Sequence, residues 1–147
     1  MVPVLDKQPR SVVLFDGVCA LCNRVVEWII AHDRREIFFF APLQGKTAKS
    51  IKARHPEVHF VLSPPESIIL VENYGEPNEK VHFTTNAVFA IIEKMEFPVR
   101  WLTLFRILPF RIREWGYRLI ATHRYRWFGK LEQCRLPNPS EKTRFLP

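Results

Sequence analysis

Residues 11–23 read SVVLFDGVCALCN. Ser11 to Phe15 is β-branched and continuously apolar, the signature of a strand buried on both faces. Asp16-Gly17 ends it in a turn. Leu21, Val25, Trp28 and Ile29 then fall at i, i+4, i+7 and i+8, which predicts a helix over 20–34. A Cys-x-x-Cys pair, Cys19 and Cys22, therefore opens a helix directly behind a buried strand. A helix N-terminus has unsatisfied N–H groups and a partial positive charge, and both stabilise a thiolate. Cys22 aligns with Val26 and Ile29, so it is expected to face inward. Cys19, at the helix entrance, is expected to be exposed. This order makes Cys19 the attacking thiol and Cys22 the resolving thiol, with exchange passing through a mixed disulfide on Cys19.

The pattern on either side extends this unit. Glu36 to Ala41 predicts a second buried strand, and 45–54 a short basic helix that ends before Pro56. Ser67 to Glu72 and Lys80 to Phe83 predict third and fourth strands that can pair as a hairpin. Thr85 or Asn86 can cap a helix running to about Met95, with Val88, Ile91 and Ile92 on one face. The order β-α-β-α-β-β-α is that of a thioredoxin-like α/β core. Beyond it, 99–108 is apolar except for a stripe of Arg100, Thr103 and Arg106. Residues 111–128 predict a further helix through Ile112, Trp115, Leu119 and Ile120. These additional C-terminal helices are read as packing on the sheet, their aromatics as core. A single domain over 11–137 is expected, with loosely ordered ends at 1–10 and 138–147.

Composition sets the outer limits. A chain of 147 residues with 47% hydrophobic and 25% charged residues builds one ordinary globular core, which excludes a disordered body. Three cysteines are too few for a disulfide scaffold. No apolar stretch reaches the ~18 residues of a spanning helix, and the start, MVPVLDKQPR, shows no apolar signal region. A cytoplasmic location is expected, where cysteine pairs are more often catalytic or metal-binding than structural. The net charge of +7 is C-terminal: residues 98–147 hold 9 Arg and 2 Lys against 3 Glu. Such a surface can attract an anionic partner. Nucleic acid is disfavoured because the aromatics of Arg124-Tyr125-Arg126-Trp127-Phe128 keep helical spacing. Contact of 99–108 with a membrane surface is weighed below packing on the sheet or a partner.

Asp16 and Asn23 flank the cysteine pair as supporting residues. Asp16 can exchange a proton during the reaction, or shape the Asp-Gly turn. Asn23 can hydrogen-bond around the site, or simply occupy the first helical turn. Two alternatives to redox chemistry stand beside it: a redox-inactive binding module with a basic face, and a small metal protein. Zinc needs further ligands. The chain offers only Cys134 and scattered histidines; His55 and His59 are separated by Pro56. VVLFDG is also similar to the opening of phosphatases with an aspartyl nucleophile, but Leu14 occupies that position and removes the chemistry. No phosphate loop, dinucleotide fingerprint or haem motif is present, so no cofactor is expected.

Taken together, these residues resemble the DCC family of thiol-disulfide oxidoreductases, named for its Asp-Cys-Cys motif. The matching positions are Asp16, Gly17, Cys19, Leu21, Cys22 and Asn23. Pro42-Leu43-Gln44 and Ser67 to Val71 also match. So do Arg113-Glu114-Trp115-Gly116-Tyr117, Ala121, Arg124 to Gly129, Cys134 and Pro137. The resemblance implies a thioredoxin-like fold with extra C-terminal helices. It also implies redox activity at Cys19 and Cys22, but no substrate; the partner expected of such a pair is a protein or low-molecular-weight thiol or disulfide. Cys134, within the C-terminal motif, is either a third redox thiol or a small buried residue docking the last helix. Unlike thioredoxins, the chain has Ala20-Leu21 between the cysteines and no proline there. Pro65 precedes the third strand, with Glu66 intervening.

Overall fold

Alternation along the central strand assigns its side chains to two cores. In a computed structural model, which describes residues 10–56, 68–96, 98–130 and 137–147, β1 (Ser11–Phe15) is buried along its whole length. Val13 and Phe15 join one core with Cys22, Val26 and Ile29 of α1 (Ala20–His32). Val12 and Leu14 join the other with Ala48 and Ile51 of α2 (Lys46–Arg54). Side chains of period two, covered on both faces, require a helical layer on each side.

The sheet order is β2-β1-β3-β4, with β2 (Phe38–Pro42), β3 (Ile68–Glu72) and β4 (Lys80–Phe83). β1 and β2 run parallel, with Val13 opposite Phe40. β3 is antiparallel to β1, with Val13 opposite Leu70, and β4 is antiparallel to β3. α3 (Thr84–Lys94) follows β4 and contributes Ala87 and Ile91 to the α1 side. This is the expected thioredoxin-like topology. Element limits shift by one or two residues from the pattern-based limits, as termini commonly do.

Beyond α3 come a 3-10 helix (Val99–Ile107) and α4 (Phe110–Phe128). They depart from the sequence expectation. The apolar stripe of α4 was expected to pack as core; instead Ile112, Trp115, Leu119, Ile120 and Trp127 are exposed. The buried residues of α4 are Glu114, Ala121 and Arg124. Glu114 explains one half of this inversion. It accepts hydrogen bonds from the Thr84 hydroxyl (2.8 Å), the Thr85 hydroxyl and the Thr85 amide. It thereby caps α3, whose own preceding residue, Phe83, has no capping side chain. It also holds Thr84 at φ +51°, a costly angle for a β-branched residue.

The α1 stripe needs a smaller correction. Cys22, Val26 and Ile29 are buried, while Trp28 is partly exposed and packs on His32. Residues 138–147 were expected to be loosely ordered, and a larger correction applies there. Buried Arg144 pairs with Asp33 and donates to the Phe38 carbonyl (3.1 Å). Phe145 packs on Phe40 and Phe15, and the Leu146 amide donates to the Phe40 carbonyl (2.7 Å). The tail thus covers the open edge of β2, a position that would otherwise invite pairing with another chain. The Thr47 amide donates to the Pro147 backbone oxygen (2.7 Å), and Gly45 gives way to it: a Cβ there would lie 2.9 Å from the Pro147 carbonyl carbon. Residues 1–9 and Pro65 lie outside the described residues.

Candidate active site

The turn after β1 is built by its own side chains. The Asp16 carboxylate accepts from the Val18 amide (3.2 Å), and the Cys19 amide donates to the Asp16 carbonyl (3.2 Å). Asn23, buried one helical turn on, donates through Nδ2 to the carbonyls of Gly17 (3.0 Å) and Cys19 (2.8 Å). Its role is thus to tie the first turn of α1 back onto the loop. Cys19 is the residue that caps α1: its backbone is extended and its Sγ accepts from the Cys22 amide (3.3 Å). A sulfur in this position receives a donor hydrogen bond and the positive end of the helix dipole.

The two sulfurs are electrostatically opposite. The Cys19 thiol is lowered to about 6, first by a hydrogen bond from the Cys22 side chain. Burial opposes this, whereas the Cys22 amide and the Arg124 cation assist and Asp16 works against them. The Cys22 thiol is pushed far up, first by that same hydrogen bond to Cys19 and then by burial. Both directions favour the charged form on Cys19 and the protonated form on Cys22.

Cys22 is buried, as the helix spacing predicts. Cys19 is not exposed as expected: its exposure is 0%. The covering comes from beyond α4. Lys130 forms a bridge with Cys19, and the Ala20 amide donates to the Gly129 carbonyl (3.3 Å). A contact across more than a hundred residues of sequence leaves no local signal in the CxxC segment.

Three further residues converge on Asp16. Gln44, after β2, donates to its Oδ1 (3.0 Å) and accepts from the Gly17 amide (3.4 Å). Arg124 of α4 donates to Oδ2 (3.1 Å) and to the Ala121 carbonyl (2.7 Å). The Tyr125 hydroxyl also donates to Oδ2. Burial works to raise the Asp16 carboxyl, but the hydrogen bonds from Tyr125, Gln44, Arg124 and Val18 bring it below the usual carboxylate range. Arg124 and Asp16 thus form a buried ion pair that joins α4 to the active-site turn. This pair is the other half of the polarity inversion in α4. Gln44, Arg124 and Tyr125 all lie in motifs matched above, but their composition reads as loop and basic surface. Only the fold shows that they point at one carboxylate.

Cys134 and His59 lie outside the described residues. His55 is engaged with Glu79 (2.7 Å), which also binds Arg54. Among the described residues, no cluster of three or more His, Cys, Asp or Glu side chains could hold a metal ion. No helix among the described residues is long and apolar enough to cross a membrane.

A paired thiolate and thiol at a helix N-terminus, behind the central strand of a thioredoxin-like sheet, define a dithiol site. Residues 13–130 match the family of DCC1-like thiol-disulfide oxidoreductases, and the chain belongs to it. It is 37% identical over 144 residues to the uncharacterized protein YuxK of Bacillus subtilis (strain 168), covering 97% of this chain and 98% of that one. It is 33% identical over 132 residues to a chloroplastic DCC family protein of Arabidopsis thaliana, covering 89% of this chain and 72% of the relative. No solved structure matches the chain.

Proposed function

We propose that the protein exchanges disulfides through Cys19 as attacking thiolate and Cys22 as resolving thiol. The single observation that carries this reading is the place of Cys19 Sγ at the N-terminus of α1, accepting the Cys22 amide (3.3 Å) one helical turn from the buried Cys22. The Cys19 thiolate attacks one sulfur of a substrate disulfide. A Cys19–substrate disulfide forms, and the other substrate sulfur leaves as a thiolate that takes a proton. Cys19 is then no longer an anion, so the interaction that held the Cys22 proton is gone. Cys22 loses that proton and attacks Cys19 Sγ. The Cys19–Cys22 disulfide forms and the second substrate thiolate leaves. The pair gives up two electrons and the substrate disulfide gains them; a dithiol in excess reverses the sequence.

Asp16 and Asn23 act as positioning residues. Asn23 fixes the first turn of α1, and Asp16 anchors Arg124 beside the thiols. Among the described residues, Gly129 and Lys130 lie against Cys19 and Ala20, so substrate access involves movement there. The substrate class, a protein or a small thiol, follows from the chemistry of the pair.

The pH dependence of alkylation tests the assignment. In the reduced protein, modification of Cys19, located by peptide mass, is expected to rise through a midpoint near pH 6. Cys22 is expected to remain unmodified up to pH 9 or so. A Cys19 midpoint near the ordinary thiol value of ~8.5, or preferential modification of Cys22, contradicts it.

A further inference from the structure

The outer face of α4 and the 3-10 helix is apolar where a soluble domain is normally polar. Trp101 is 66% exposed, Ile107 84% and Trp115 68%. Phe105, Phe110 and Ile112 are each more than half exposed as well. The 3-10 helix buries none of its residues. A run of nine residues in that conformation is uncommon. Exposed apolar side chains in this number, on two consecutive elements, mark an interaction site.

Charge selects among occupants. Residues 98–130 contain 7 Arg and 1 Lys against 1 acidic residue, Glu114, which is buried against Thr84 and Thr85. Arg106 pairs with Glu93 and Arg124 with Asp16, both outside this segment. Arg100, Arg111, Arg118 and Arg126 are exposed on the same two helices. A second copy would set like charge against like charge across this face. A nucleic acid would use the arginines but leave Ile107, Ile112 and the leucines in water. Tryptophan and aliphatic side chains interleaved with arginine fit an interface that is anionic at its surface and apolar beneath.

We infer that the face formed by the 3-10 helix and α4 binds the surface of an anionic lipid bilayer. The tryptophans and aliphatic residues enter the headgroup boundary, and the exposed arginines meet lipid phosphates. The protein lies on the bilayer surface, with the arginines at the level of the headgroups. Because α4 holds Asp16 with its inner face, a bilayer on its outer face sets the dithiol site beside the membrane. This inference stands independently of the chemistry at Cys19.

Vesicle flotation tests it with the whole reduced protein. Binding to phosphatidylcholine vesicles with about 30% phosphatidylglycerol is expected to be at least ~10-fold tighter than to neutral vesicles, and to weaken as salt rises. Tryptophan emission is expected to shift to shorter wavelength on binding, since three of the four tryptophans, Trp101, Trp115 and Trp127, are exposed on these two elements. Trp101→Ser with Trp115→Ser keeps the charge and is expected to lower binding about 10-fold, with unfolding temperature essentially unchanged because both side chains are exposed. Absence of anionic-vesicle binding at low salt overturns the inference. So does binding that these two substitutions leave unaltered, which would make the attraction one of charge alone and fit a nucleic acid. A solution dimer that dissociates in the Trp101/Trp115 variant, without vesicle binding, also overturns it and assigns the face to a second copy.

Discussion

Cys19→Ser is expected to lower exchange with a small symmetrical disulfide by a factor on the order of a thousand or more, to the background of the uncatalysed reaction. The substitution is well suited to the question because Cys19 is also the residue that caps α1. Serine is among the preferred capping residues, so the helix start should survive and the loss will report on chemistry. Cys22→Ser separates the two roles. The Cys19 sulfur remains, but nothing resolves its mixed disulfide. One probe-half per protein is expected to accumulate on Cys19, readable as an intact-mass increment. Cys22→Ala removes the side-chain donor altogether, and Cys19 should then titrate higher than in the parent, because its largest stabilising partner is the Cys22 side chain. Accumulation on Cys22 in Cys19→Ser would reverse the proposed order of attack.

The second large effect is at Arg124. Its guanidinium and the Asp16 carboxylate are both buried, and the charge left behind by removing one partner is costly. Arg124→Met is expected to cost about 3 kcal/mol, or roughly 10 °C in Tm. Asp16→Asn is expected to destabilise as well. Combining the two should recover part of the loss, since no isolated charge then remains. Stability alone would not distinguish an anchor from a residue that also conditions the thiols. The Cys19 alkylation midpoint does. Loss of the Arg124 cation is expected to move it up, and loss of the Asp16 anion to move it down. Two destabilising substitutions with opposite effects on one thiol are not produced by general loosening. Midpoints that move together, or stay fixed, would leave this pair a purely structural role.

These residues also show how far the sequence carries. The β1 strand, the CxxC placement and the strand-helix order were legible because each is local. A strand covered on both faces is apolar throughout, and a helix behind it has a period of 3.6. Periodicity tells which residues share a face but not which face points inward. In α4 it groups Ile112, Trp115 and Leu119 correctly, yet the inward side is the one bearing Glu114 and Arg124. Their burial depends on an uncapped helix α3 and on Asp16, each distant in sequence. The burial of Cys19 under Gly129–Lys130 and the docking of Arg144 on Asp33 are long-range in the same way. A polar, proline-containing tail has the composition of a loose end whether or not one arginine finds a buried carboxylate.

Redox titration of the purified protein is the decisive test of dithiol exchange. The chain would be equilibrated in thiol/disulfide buffers of graded potential, alkylated, and read by intact mass and peptide map. One reversible two-electron transition that closes Cys19–Cys22 is expected. A Cys19 thiolate stabilised at the helix N-terminus favours the reduced form, and so raises the midpoint above that of an unperturbed dithiol. A pair that never closes across the accessible range of potentials would contradict dithiol exchange at this site.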